Sequence, residues 1–282
     1  MLKIFKLPKI LYKSIYDMVM HDGIEHAGYL SFLFMLTIFP FLVFFVAVVG
    51  FIGNESLGSF LVELIVNSHW AQFIDALKPR IVEITSNPPQ SLLTIAIISA
   101  IWTASSIFEA LRTILNRANR VSNTPAYILR RLVSIIEFIV MISVTICFLL
   151  ILLILPYISD FIINLFGIPK SSMIAQIIDP KTGQAHFIIM LLFTFFIIAY
   201  IYHSLPNCKN KFIYAIPGTI LTFIGWYGAS IGFRYYLTHF PQVNLIYGSI
   251  AGIIIALLYF YICSIIFIVG AEFNYHMHNK KG

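Results

Sequence analysis

Residues 30–53 read LSFLFMLTIFPFLVFFVAVVGFIG and contain no charged side chain. A helix needs roughly 20 consecutive apolar residues to cross the hydrocarbon core of a bilayer, which is about 30 Å thick. Five further apolar stretches follow along the chain, at 91–108, 133–155, 186–204, 212–234 and 246–271. The sequence therefore predicts an all-α polytopic membrane protein with six transmembrane helices.

The composition indicates the same class of protein. Only 11% of the residues are charged and 60% are apolar, whereas a soluble domain has about 25% charged residues. Because the spans and their connections take up most of the 282 residues, we expect no large soluble domain. The predicted segments are a basic amphipathic segment at 1–29, a transmembrane domain at 30–271 and a short cytoplasmic tail at 272–282.

Lysines and arginines alternate between the two sides of the predicted spans. With the N-terminus placed in the cytoplasm, five of the 18 fall outside and the other thirteen inside. The five are Lys78, Arg80, Lys170, Lys181 and Arg234. Cytoplasmic loops carry an excess of basic residues, so the pattern predicts that both termini are inside. Anionic lipid headgroups at the inner face attract such residues, which accounts for the net charge of +6 without a nucleic-acid partner.

Two segments are expected to form interfacial amphipathic helices. In the N-terminal segment, apolar residues recur at helical spacing between lysines, which is typical of a helix lying on a membrane surface. These residues are Leu7, Ile10, Leu11, Ile15 and Met18. The loop at about 54–90 shows the same period, and we expect a second interfacial or capping helix there.

Four glutamates lie at the inner edges of the predicted spans: Glu25, Glu109, Glu137 and Glu272. A charged side chain is costly in hydrocarbon, so its presence needs a reason. Arg112 follows Glu109 by three positions and is a local partner on a helix. Two interpretations are open. The carboxylates form structural ion pairs and interface anchors, or together with Arg112 they form a polar vestibule or a proton-coupled gate.

Prolines and glycines mark predicted bends and contacts. Pro40 lies in the middle of the first span and Pro217-Gly218 early in the fifth. A proline inside a helix removes a backbone hydrogen bond and kinks it, and each kink is either a hinge or a static bend. Four glycines recur at four-residue spacing in the last two spans: Gly228, Gly232, Gly248 and Gly252. This spacing permits close backbone contact, so we expect these spans to form a tightly packed hairpin.

Arg234 lies near the outer end of the fifth span, among aromatic residues. A long basic side chain in this position extends to the interface while its stem stays in the apolar region. The alternative interpretation is a contact with an anion or a lipid headgroup.

The sequence contains no recognisable catalytic or metal-binding pattern. His276 and His278 are two residues apart, so they point to different faces of a helix, and no acidic or cysteine set near them in sequence completes a ligand sphere. We find no Gly-rich phosphate loop with a lysine, no serine elbow and no paired-cysteine motif. We therefore expect a protein that is not an enzyme and binds neither a cofactor nor a metal.

Several short motifs follow one another in a fixed order around the predicted spans. They are His26-Ala27-Gly28-Tyr29 with Phe39-Pro40, Ile101-Trp102-Thr103-Ala104-Ser105 with Leu115-Asn116-Arg117-Ala118, Arg130-Arg131-Leu132, Tyr202-His203-Ser204-Leu205-Pro206-Asn207, Ala215-Ile216-Pro217-Gly218, Tyr247-Gly248-Ser249 and Gly270-Ala271-Glu272. With these motifs the chain resembles the YihY/BrkB family over nearly its whole length. The resemblance implies a six-span protein of the bacterial inner membrane with both termini inside. Gly28 and Arg234 depart from the family pattern.

The resemblance also implies a range of functions. Members of the family have carried the labels ribonuclease BN, a tRNA-processing activity, and virulence factor. A nuclease of that kind needs a His/Asp metal cluster, so RNA processing is the least favoured function. Apolar, aromatic-rich spans and the family's association with the bacterial surface favour transport or organisation of envelope lipids or another amphiphile. The alternative is a scaffold that docks a cytoplasmic or membrane partner through the basic loop 112–131. A homo-oligomer is also possible.

Overall fold

The computed structural model describes residues 7–52, 90–122, 125–165, 184–208, 210–239 and 251–278. Within these ranges the chain forms α-helices and one 3₁₀ turn, and no strand. The elements in chain order are α1 (Leu7–Met20), α2 (Gly23–Ile52), α3 (Gln90–Ala118), α4 (Tyr127–Leu165), α5 (Gln184–Ser204), the 3₁₀ turn Phe212–Tyr214, α6 (Ile216–His239) and α7 (Ala251–His278).

Helices α2 to α7 correspond in order to the six predicted spans. The shortest of them, α5, has 21 residues, which at about 1.5 Å per residue is enough to cross a bilayer. By length and hydropathy, three segments of the described ranges are candidates for crossing a membrane: Tyr127–Leu152, Phe212–His239 and Gly252–His278. Gly23–Ile38 and Ile188–Ser204 are shorter apolar segments. The all-α polytopic membrane fold is confirmed, whereas the orientation of the termini stays a prediction.

Several helix ends differ from the boundaries of the apolar stretches, and two of these differences involve predicted glutamates. Helix α2 begins at Gly23, so Glu25 lies in its first turn rather than before it. Helix α7 continues to His278, so the first part of the predicted tail 272–282 is helical. Backbone hydrogen bonds, and not apolar content, determine where a helix ends. The predicted amphipathic helix near the N-terminus is present as α1, and the predicted helix in the loop 54–90 lies outside the described residues.

The core lies where α2, α3 and α7 pack against one another, with α4 against α3, α6 against α7 and α1 against α7. Many of its buried apolar residues come from the first half of α2 and the second halves of α3 and α7. They include Ala27, Leu30, Leu111, Leu115, Ile268 and Ala271. We call this region the predicted cytoplasmic end of the bundle, because the positive-inside pattern places it there.

The outer faces of α4 and α6 expose rows of large apolar side chains. On α4 these include Ile136, Val140, Val144 and Ile151, and on α6 they include Ile220, Ile224, Tyr227 and Ile231. A water-soluble monomer rarely exposes contiguous apolar patches of this kind. Lipid is therefore the solvent that suits these faces.

Helices α6 and α7 form the close contact that the sequence predicted, but at different glycines. A Cβ atom added at Gly218 would overlap the Gly270 carbonyl oxygen, and one added at Gly225 would overlap Ile266. By contrast, a Cβ atom added at Gly228 or Gly232 would meet no atom of the described residues within 4 Å. Gly252 is half-buried in α7, and Gly248 lies outside the described residues.

Pro217 and Gly218 occupy the first turn of α6, which begins at Ile216. The first N–H groups of a helix have no acceptor within the helix, so a proline there removes no hydrogen bond. The structure therefore places Pro217 at a helix start and not at a kink. The Gly218 N–H donates to Asn274 Oδ1 on α7 at 2.6 Å. Pro40 lies within the continuous helix α2, and a functional bend there stays a prediction.

These contacts predict opposite effects for two identical substitutions on one helix. We expect Gly218→Ala to lower the free energy of unfolding by about 1–3 kcal/mol, because the new methyl group overlaps the Gly270 carbonyl oxygen and the Asn274 side chain of α7. Gly228→Ala should be neutral or stabilising by up to about 1 kcal/mol, because alanine favours the helix and the space is open. Thermal unfolding of both purified variants in one detergent measures the difference, and equal midpoints would contradict the packing.

Candidate functional site

The first group of charged residues joins α3 to α4. Arg112 donates to Glu137, and Arg130 Nε lies 3.2 Å from Glu109 Oε1. Ser134 Oγ donates to Glu109 Oε2 at 3.1 Å. Glu109 and Arg112 lie on one face of α3, and Arg130, Ser134 and Glu137 lie on one face of α4, because of their spacing. The short connection between α3 and α4 brings these two faces together. Two of the predicted inner-face glutamates are therefore paired with arginines.

Arg131 of α4 makes further contacts with α3, one to two turns before Glu109. Its guanidinium donates to Ser106 Oγ at 3.0 Å and to the Trp102 carbonyl oxygen at 2.7 Å. It also lies over the Trp102 ring, 4.2 Å from the centroid. The side chain is buried, so this member of the basic loop 112–131 serves the packing of the bundle.

The second group of charged residues joins α1, the end of α3 and α7. Arg120 donates to both carboxylate oxygens of Glu272 at 3.0 Å and to Asp17 Oδ2 at 3.0 Å. His276 Nε2 lies 2.8 Å from the same Asp17 oxygen. His21 Nδ1 lies 3.2 Å from Glu272 Oε1. We call these five residues the Arg120 network.

Arg120 holds an unusual backbone position to make these contacts. Its φ is 59°, in the left-handed region that favours glycine. The Arg120 N–H bonds the Arg117 carbonyl and the Val121 N–H bonds the Asn116 carbonyl, which closes α3 with the pattern usually made by a glycine. Burial alone would lower the pKa of Arg120, but its hydrogen bonds with Glu272 and the nearby negative charge raise that pKa above the ordinary value. The guanidinium is therefore a permanent cation beside Glu272.

The four predicted glutamates do not share one site. Glu109 and Glu137 lie between α3 and α4, and Glu272 lies in the Arg120 network, 1% exposed. Glu25 is exposed in the first turn of α2. The sequence correctly predicted that all four glutamates lie at one end of the bundle. They are not in contact with one another as a group, because each helix directs its glutamate toward a different neighbouring helix or toward the surface. A single acidic vestibule is not what the structure shows at these residues.

Arg234 is exposed on α6, five positions before its last residue. Nearby, the rings of Tyr235 and His239 stack with centroids 3.9 Å apart. The position suits a side chain that reaches an interface, and the predicted contact with a lipid headgroup stays a prediction.

A polar cavity of about 110 Å³ lies at the predicted cytoplasmic end and is partly open to the surface. It is bounded by the ends of α3, α5 and α7 and by the segment before α6. Its lining consists of Leu115, Asn119, Tyr202, His203, Cys208, Asn210, Lys211, Tyr214, Ala215, Ala271, Asn274, Tyr275 and His278. No aspartate or glutamate is among these residues. No sequence pattern singles out this set, because its members are scattered over four elements.

A family model described as "Virulence factor BrkB" matches residues 14–282. The chain belongs to the BrkB family. Curated relatives carry several names. One is a "Putative ribonuclease-like protein YfkH" of Bacillus subtilis (strain 168), 28% identical over 268 residues, which cover 93% of this chain and 92% of the relative. Another is a "UPF0761 membrane protein VV0203" of Vibrio vulnificus (strain YJ016), 26% identical over 254 residues, covering 89% and 77% of the two chains. No solved structure matches the chain.

The Arg120 network contains residue types that can bind a metal ion. Ligand atoms of Asp17, Glu272 and His276 lie within 4.8 Å of one another. The fold brings Asp17 of α1 close to His276, although no acidic set near His276 in sequence was found. However, the Arg120 guanidinium already donates to both carboxylates, so a metal ion would have to displace it. The donor set is therefore that of an ion-pair network rather than of an open metal site.

Proposed function

We propose that this BrkB-family protein transports or organises lipids, or another amphiphile, at the cytoplasmic face of the bacterial inner membrane, and that it is not an enzyme. The observation that supports the proposal is the polar cavity at one end of an apolar bundle. An amphiphile has a polar group that such a cavity can hold and an apolar part that suits the exposed faces of the helices. The exposed apolar rows of α4 and α6 begin near the end that holds the cavity, at Ile136 and Ile220, and continue along the helices.

The pairing of the buried charges favours amphiphiles over ions or protons. Glu109, Glu137 and Glu272 each have an arginine partner. A carboxylate that serves as a carrier or gate must be able to change its partner or its protonation, whereas these contacts hold helices together. The structural interpretation of the glutamates is therefore the better supported one.

The contacts of the arginines weigh against the scaffold alternative. Docking through the basic loop 112–131 needs exposed arginines, but Arg112 and Arg131 are buried and Arg120 is engaged with Glu272 and Asp17. Arg117 is more accessible, with 44% of its side chain exposed, and it pairs with Asp22. Most of the positive charge that suggested docking is used within the molecule.

Reconstitution into vesicles tests the proposed function. We expect the purified full chain to bind phospholipid through detergent extraction and, in vesicles, to change the distribution of fluorescent phospholipid between the leaflets relative to protein-free vesicles of the same lipids. Chemical quenching of the outer leaflet measures the distribution, and mass spectrometry of the intact protein measures the bound lipid. If neither lipid binding nor a changed distribution is found, the proposal is wrong.

A further inference from the structure

We infer that the polar cavity holds a phosphate group, with Lys211 and His203 as its main contacts, and that the phosphate belongs to the headgroup of an inner-leaflet lipid. This inference rests on the proposed function and names the group that the site recognises. The cavity volume of about 110 Å³ is several times the roughly 10–15 Å³ that one water molecule needs. A polyatomic anion therefore has room to enter.

The charge of the lining favours an anion. Among the described residues of the lining, Lys211, His203 and His278 can carry positive charge, and none is an aspartate or a glutamate. Burial raises the pKa of the Cys208 thiol, although its hydrogen bond with Asn210 acts in the opposite direction. The thiol is thus neutral at physiological pH. Among the lining residues that the structure describes, an anion entering the cavity therefore meets positive groups and no negative side chain.

His203 is the second contact, because it is among the residues that line the cavity. Its Nδ1 is buried, so a contact of the ring with a ligand in the cavity would come from Nε2. His203 lies in the last turn of α5, where the helix dipole favours a positive charge. A phosphate oxygen in the cavity would accept a hydrogen bond from this ring.

Other polar groups of the lining are already committed and shape the cavity instead. Asn119 Nδ2 donates to the Leu115 carbonyl at 2.8 Å. Asn274 Oδ1 accepts from the Gly218 N–H, which leaves its NH₂ group as a donor. Tyr202 Oη donates to the Phe267 carbonyl at 2.7 Å. The lining therefore offers donors from His203, Lys211 and Asn274, and phosphate is a ligand that accepts from all three.

The surroundings of Lys211 favour a lipid as the source of the phosphate. Phe212 and Ile213 follow Lys211 directly and are exposed, Ile213 by 63%. An exposed basic residue next to exposed apolar ones is typical of a segment at the membrane interface. A phosphate in the cavity would thus have its glycerol and acyl chains beside apolar side chains. A soluble phosphate would gain nothing from them.

Binding of short-chain phosphatidylglycerol to the purified full chain tests this inference. We expect Lys211→Gln and His203→Gln each to weaken that binding by roughly tenfold or more, because each removes a hydrogen bond to the charged phosphate, which is worth about 1.5–3 kcal/mol. Lys13→Gln is the matched control, because Lys13 is an exposed lysine of α1 that does not line the cavity, and its affinity should be unchanged. Thermal unfolding confirms that each variant is folded.

Two further probes identify the source of the phosphate. The matching short-chain diacylglycerol, which lacks phosphate, should bind weakly and be insensitive to Lys211→Gln. Inorganic phosphate should compete only at much higher concentration than the lipid. If inorganic phosphate binds as tightly as the lipid, the lipid assignment is wrong. If both cavity variants bind phosphatidylglycerol like the unmodified chain while leaflet distribution still changes, the cavity assignment is wrong and the proposed function stands.

Discussion

Replacing Arg112 with methionine should lower the free energy of unfolding by roughly 3–5 kcal/mol, one of the two largest effects we expect for a single substitution. Arg112 is 4% exposed and donates to Glu137. Removing one partner of a buried ion pair leaves the other charge without compensation, and that penalty exceeds the value of the contact itself. Membrane yield and thermal unfolding in detergent measure the loss.

Two controls separate this explanation from a general effect of losing an arginine. Arg117→Met changes the same residue type on the same helix, but both side chains of the Arg117–Asp22 pair are largely exposed, so it should cost at most about 1 kcal/mol. The double variant Arg112→Met/Glu137→Leu should recover most of the loss, because an apolar pair can replace a buried ion pair. A double variant no more stable than Arg112→Met would contradict the account.

Glu272→Gln should be comparably severe and should loosen α1. The substitution keeps the shape of the side chain but removes the charge that Arg120 and His21 contact. Arg120 then keeps only Asp17 as an acidic partner within the network. We expect a loss of about 3 kcal/mol together with faster trypsin cleavage after Lys13, since proteolysis reports local opening of the helix that carries it.

Glu25→Gln is the matched control for this prediction. It makes the same chemical change at the same end of the bundle, on an exposed side chain, and should alter stability by no more than about 0.5 kcal/mol. If Glu272→Gln and Glu25→Gln give the same unfolding midpoint and the same cleavage rate, the Arg120 network does not hold α1 in place.

The contacts between α3 and α4 were partly accessible from the sequence. Glu109 with Arg112, and Arg130 with Ser134 and Glu137, already lie on common helix faces by spacing alone. What the spacing could not supply was the pairing across the two helices, which depends on how α3 and α4 rotate against each other. The spacing thus predicted which charged residues are near each other on each helix. The packing of α3 against α4 determined the actual pairs, Arg112 with Glu137 and Arg130 with Glu109.

The Arg120 network shows where prediction from sequence stops. Asp17 and His276 are 259 positions apart, and no periodicity relates residues at that separation. The left-handed backbone at Arg120 carries no signal either, because a glycine, and not an arginine, is the residue expected there. The predicted positions of the glycine contacts between α6 and α7 were wrong for a related reason. Spacing of four indicated Gly228 and Gly232, but rotation of α6 brings Gly218 and Gly225 against α7 instead.

The six apolar stretches by themselves determined that this is a helical membrane protein, because hydrocarbon permits only segments whose backbone groups are satisfied internally. Their charge pattern also predicts which end faces the cytoplasm. Only the tertiary structure decided which charges pair, which glycines touch and where a cavity remains. Those features depend on helix rotation and on contacts between distant residues, and the energy of an ion pair or an overlapping methyl group changes within about an ångström of displacement.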